Sequence, residues 1–149
     1  MTGQPDAWRD RRTHDAARKV DRLAASQAAE SAKARILIAG FLEAVERVGI
    51  PPEPLLARGY GNKGRYRTGL VGWYLRVNQS AAIDTEGNYY VLTVPGGLRA
   101  KLTGARPEPT DPPLILGKGA RDGESIDLRD ALERILGGHL DAGSGIHAL

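Results

Sequence analysis

From about Thr13 to Val48 the apolar side chains recur at helical spacing. Placed at 100° per residue, Val20, Leu23, Ala24, Leu37, Ile38, Phe41, Leu42, Val45 and Val48 fall in one arc roughly 140° wide. Arg18, Arg22, Lys33, Glu43 and Arg47 take the other side. Alanine is frequent and no proline intervenes, so a long helix is predicted over residues 14–48. Gly49, followed by Pro51 and Pro52, stops it. The stripe weakens at Gln27, Glu30 and Ser31. Two halves are therefore expected. Residues 37–48 pack on the domain, and residues 14–34 are exposed or pair with another helix.

After the prolines the pattern changes. Residues 54–69, PLLARGYGNKGRYRTG, read as an irregular loop rich in Gly and Arg. In LVGWYLRV, Val71, Trp73, Leu75 and Val77 alternate with Gly72, Tyr74, Arg76 and Asn78, which is strand period. That alternation places Trp73 and Leu75 in the core and Tyr74 on the other face. Further strands are predicted near Ala81–Asp84 and Tyr89–Val94, with a turn at Asp84-Thr85-Glu86-Gly87. Residues 107–113, PEPTDPP, suit neither a helix nor a central strand. Leu114–Leu116 reads as a last strand. Asp127 reads as the N-cap of a helix carrying Leu128, Ala131, Leu132, Ile135 and Leu136 at helical spacing, ended by Gly137-Gly138.

The fold class that follows is α+β: a long N-terminal helix, a small antiparallel sheet of three to five strands, and a C-terminal helix packed on one face. A small domain spans residues 54–136, and residues 1–13 and 137–149 are expected to be flexible. A length of 149 residues suits one domain.

Composition narrows the chemistry. The absence of cysteine excludes disulfides, thiolate zinc sites and a cysteine nucleophile. The N-terminal MTGQPDAWRDRR has no apolar stretch of the secretory kind, and no segment reaches the ~18 apolar residues of a membrane span. A cytoplasmic location and no membrane contact are the expectation. High Arg, Ala and Gly with few Lys fits a GC-rich bacterial genome.

Charge singles out one block. Residues 54–83 carry five basic and no acidic side chains, whereas residues 84–149 carry seven basic and ten acidic. Within the block, Arg58, Tyr60, Lys63, Arg65, Tyr66 and Arg67, with Arg76 beyond them, interleave cations with tyrosines on flexible glycine. Guanidinium groups bind phosphate in bidentate fashion and tyrosine offers a stacking face. The same charges also suit an acidic protein surface. The leading expectation is thus a non-enzymatic binding or adaptor module, its partner nucleic acid or an acidic protein, with a homodimer through the N-terminal helix also considered.

The alternative is a nucleotide- or phosphate-binding protein, an enzyme among its readings, with its site at Gly117, Lys118, Gly119 and Ser125 in the loop Gly117–Ser125, read as strand-to-helix. That loop fits neither the P-loop nor the dinucleotide pattern, and Asp122 and Glu124 would repel an anion. Other catalytic signals are weak. His14, His139 and His147 share no ligand spacing, and Ser80, Ser125 and Ser144 adjoin no base. The carboxylate pairs Asp84/Glu86 and Asp122/Glu124 sit beside turn glycines. No cofactor, metal or catalytic residue is assigned.

Overall fold

The computed structural model describes residues 3–97, 103–118 and 125–147, with the side chains of 3–6, 62 and 138–147 outside that description. Helix α1 runs Gly3–Val48, about 70 Å at 1.5 Å per residue. From Ala7 to Ala29 every residue is exposed. Burial begins where the apolar spacing strengthens: Ser31, Ala34, Ile38, Phe41 and Val45 are buried, three and four residues apart.

Strands β1 (Glu53–Gly59), β2 (Arg65–Tyr74), β3 (Ala81–Asp84), β4 (Tyr89–Val91) and β5 (Thr93–Val94) form one sheet in the order β4-β3-β2-β1-β5. All neighbours are antiparallel except β1 and β5. Only Leu92 separates β4 from β5. Its N–H donates to the Ser80 carbonyl at 2.8 Å, and its carbonyl accepts from the Arg58 N–H at 2.7 Å. In an extended strand both groups of one residue face the same neighbour, so their bonding to different strands marks a break at Leu92, through which one segment serves both edges and the sheet closes into a small barrel. The bend comes in β2. Pairing shifts between Pro54↔Val71 and Leu56↔Arg67, leaving Thr68–Leu70 bulged, with Gly69 at φ +75°.

Closure gives the strands two buried faces. Leu55, Ala82, Tyr90 and Leu92 pack together with Leu70 and Tyr74. Trp73, Leu75, Ala81, Ile83 and Tyr89 face the other way, onto α1. Trp73 meets Phe41 edge-on, with ring centroids 5.5 Å apart. Strands β6 (Ile115–Leu116) and β7 (Ile126–Asp127) form an antiparallel hairpin, and helix α2 (Leu128–His147) follows at once. Leu116, Leu128, Ala131 and Leu132 complete the core against α1.

The architecture is the α+β one expected: long helix, small mostly antiparallel sheet, second helix against both. Several boundaries differ. Helix α1 begins at Gly3 rather than near Thr13, so residues 3–13 are helical where a flexible start was expected. It packs on the domain from Ser31 rather than from Leu37. The polar interruption has a use: Glu30 Oε1 accepts the Leu114 N–H at 2.9 Å, tying α1 to the segment before β6. Residues 54–69 are β1, a 3₁₀ turn at Tyr60–Asn62 and the start of β2, not an irregular loop. Their glycines and arginines hid a strand whose Leu55, Ala57 and Gly59 alternate inward. Helix α2 passes through Gly137-Gly138 to His147, so residues 137–147 are helical as well.

Candidate functional site

Strands β1 and β2 pair Arg58 with Arg65 across a turn that needs Gly61 at φ +69° and Gly64 at φ +82°. Beyond the turn β2 alternates. Arg65 and Arg67 are exposed, and Tyr66 and Thr68 are buried. Thr68 closes onto the barrel, donating to the Leu55 carbonyl at 2.6 Å. Tyr66 lies in a slot lined by glycine. A Cβ on Gly96 would stand 2.3 Å from its hydroxyl oxygen, and one on Gly64 2.8 Å. Its hydroxyl accepts the Gly97 N–H at 3.1 Å. Tyr66 is therefore not a stacking platform. Tyr60 keeps that capacity, being 61% exposed.

The arginines divide into two sets. Arg58, Arg65 and Arg76 converge on the turn between β2 and β3. Arg58 Nη1 donates to the Asn78 carbonyl, Arg65 Nη1 to Gln79 Oε1 at 2.6 Å, and Arg76 Nη1 to Ser80 Oγ at 3.2 Å. They brace a strained turn, since Gln79 holds φ +62°. Arg58 and Arg76 are half-buried there. Lys63 and Arg67 stay outside this cluster and are exposed.

Arg67 opens onto a groove of about 590 Å³. Arg67, Thr68, Gly69 and Leu70 of β2 form one wall, and the segment Thr103–Pro107 forms the other. The Ala105 N–H donates to the Arg67 carbonyl at 2.8 Å, and Gly104 takes φ +80° so that the backbone can approach that carbonyl. Arg106 thereby lines the same groove as Arg67. Arg106 was not legible as a site residue. It precedes the proline-rich 107–113 stretch, and only a contact 38 positions away along the chain, Ala105 to Arg67, brings it here. Among the described residues no carboxylate lies within ion-pair distance of Lys63, Arg65, Arg67 or Arg106. The ion pair found there joins Arg35 to Asp111 at 2.6 Å, away from the groove.

The alternative site looks different. Gly117 at φ +76° and exposed Lys118 follow β6, and Ser125 precedes β7; Gly119 lies outside the described residues. The loop read as strand-to-helix thus joins two antiparallel strands. The helix starts only at Leu128, whose N–H already donates to the Leu114 carbonyl at 2.7 Å. Lys118 and Ser125 do not sit on a helix N-terminus in this arrangement.

Of the carboxylate pairs, Asp122 and Glu124 lie outside the described residues. Asp84 is buried and Glu86 exposed. Asp84 Oδ1 accepts the backbone N–H groups of Glu86 and Asn88, both at 2.9 Å. Its Oδ2 accepts Asn88 Nδ2 at 3.1 Å and the Tyr90 hydroxyl at 2.9 Å. The carboxylate closes the β3–β4 turn. Burial, its hydrogen bond to Asp84 and the charges of Asp84 and Glu86 push Tyr90 up to about 12 from the usual 10.0. Burial also raises Tyr89, partly offset by Arg76.

Among the described residues no group of His, Asp and Glu is placed to hold a metal ion, and no helix is long and apolar enough to cross a membrane. No protein-family model, curated protein or solved structure matches this chain.

Proposed function

We propose that this protein is a nucleic-acid-binding module whose contact surface is the cationic face of β2, with Lys63, Arg67 and Arg106 meeting phosphates and exposed Arg65, its Nη1 held by Gln79, offering its remaining N–H groups to a fourth. The observation that carries the reading is a run of exposed cations beside a groove, with no carboxylate partner among the described residues. Arg65 and Arg67 share one face of a strand and stand about 7 Å apart. That spacing suits neighbouring phosphates on an extended strand. Leu70, Ala105 and Pro107 give the groove apolar surface for a sugar or base, and exposed Tyr60, in the turn between β1 and β2, supplies an aromatic face. Burial of Tyr66 leaves few stacking positions, which favours backbone contacts over base readout.

Fluorescence anisotropy with labelled single-stranded and duplex oligonucleotides tests this across a salt series. Four phosphate contacts give a slope of log affinity against log salt of about −3 to −4. Replacing Lys63, Arg67 and Arg106 with alanine should abolish most of the binding. Unchanged affinity in that variant refutes the proposal. Capture of an acidic protein from nuclease-treated lysate, without oligonucleotide binding, transfers the same face to a protein partner.

A further inference from the structure

The long helix offers a second surface, independent of the cationic face. Residues 7–29 of α1 are exposed on all sides, yet their pattern is not uniform. Ala16, Val20, Leu23 and Gln27 follow one another by four, three and four residues. They lie in the same arc, roughly 80° wide, as Ser31, Ala34, Ile38, Phe41 and Val45. The seam by which α1 packs on its own barrel therefore continues beyond the barrel. There Val20 and Leu23 are 63% and 62% exposed.

From this continuity we infer that residues 13–30 of α1 pair antiparallel with the same segment of a second copy. The barrel decides the direction. From Ser31 onward each copy's seam is covered by its own domain. A parallel partner would bring a second barrel to the same level and the same face, where the first already sits. An antiparallel partner puts the barrels at opposite ends and leaves the whole exposed seam available.

The overlap that stops short of both barrels sets Val20 against the partner's Leu23 and Ala16 against the partner's Gln27. Beside the seam, Lys19 meets the partner's Ser26, and Ala17 meets the partner's Ala24. Alanines at the flanks let the helices approach, and the lysine stem covers apolar surface while its ammonium stays in water. The one like-charge approach, Arg12 to the partner's Lys33, falls at the ends of the overlap.

Sedimentation equilibrium of the nuclease-treated full chain at tens of micromolar tests the pairing. The expected mass is twice the 16.0 kDa of one chain. Val20→Lys with Leu23→Lys should return it to 16.0 kDa with the far-UV circular dichroism retained, since both side chains are exposed in the monomer. A monomeric parent chain, or a dimer that survives the double substitution, overturns the inference. Direction is read separately. The chain has no cysteine, so Ala16→Cys and Gln27→Cys each introduce one thiol. An equimolar mixture should oxidise to the mixed dimer, and each variant alone should stay uncrosslinked. Self-crosslinking of either variant alone overturns the antiparallel arrangement.

Discussion

Replacing Asp84 with alanine removes one buried carboxylate and leaves four donors without their acceptor: the N–H groups of Glu86 and Asn88, Asn88 Nδ2 and the Tyr90 hydroxyl. The turn is open enough for water to reach the two backbone groups, since Glu86 is exposed and Asn88 half-buried. Each of those two losses costs about 1 kcal/mol, and Nδ2 of half-buried Asn88 turns to water at little cost. Tyr90 is a buried residue, packed with Leu55, Ala82 and Leu92, and loss of its hydroxyl's acceptor adds about 2 kcal/mol. The sum, about 4 kcal/mol, is a large share of the 5–15 kcal/mol typical of a domain. Asp84→Asn keeps an oxygen for the two backbone groups and loses only the Oδ2 acceptor, so it should cost about 1–2 kcal/mol. Urea denaturation followed by tryptophan fluorescence measures both, because Trp73 packs in the adjoining core. A double-mutant cycle of Asp84→Asn with Tyr90→Phe should return a coupling of about 1 kcal/mol. A loss below 1 kcal/mol for the alanine variant, or equal losses for alanine and asparagine, would refute the account of this turn.

Further predictions concern Gly72 of the barrel, Gly40 of α1 and the ionisation of Tyr90. A Cβ added at Gly72 would stand 1.9 Å from the Ile83 carbonyl oxygen, so Gly72→Ala should cost about 3 kcal/mol in denaturation. At Gly40, on the exposed side of α1 with nothing within 4 Å, alanine should instead stabilise by about 0.8–1 kcal/mol; a reversed order would contradict the packing described. Tyr90 ionises near 12 in the folded protein and near 10.0 unfolded. The unfolded chain therefore gives up its proton first, and stability should be full below pH 10.0 and fall as pH rises toward about 12. Tyr90→Phe should flatten that alkaline decline, as seen in melting temperatures across the range, and an identical decline in the variant would assign it to another group.

Much of the fold was legible because it is governed by local periodicity. The 3–4 spacing of α1, the alternation around Trp73 and the helical spacing of Leu128, Ala131 and Leu132 each identify an element and its buried face. So do the proline pair that ends α1 and the turn at Asp84–Gly87. The cationic block at 54–83 was also plain from the order of residues. Its internal division was not. Arg65 and Arg67 are as alike in sequence as two residues can be, yet one donates to Gln79 and the other opens onto the groove.

Residue order by itself determined the long helix, the strands around Trp73, Ile83 and Tyr90 and the second helix, with their apolar faces, and where the positive charge concentrates; it did not reveal β1. Each depends on neighbours within a few positions, where helix and strand geometry fix relative direction. Tertiary structure alone decided that β4 and β5 are one segment closing a barrel, and that Tyr66 is core rather than a stacking face. It also brought Arg106 to the groove that Arg67 lines and left the seam of α1 uncovered before Ser31. Each of these depends on contacts between distant parts of the chain, such as Leu92 with Arg58 and Ser80, or Ala105 with Arg67. Such contacts are selected by closure and packing of the whole domain, and no local spacing encodes them.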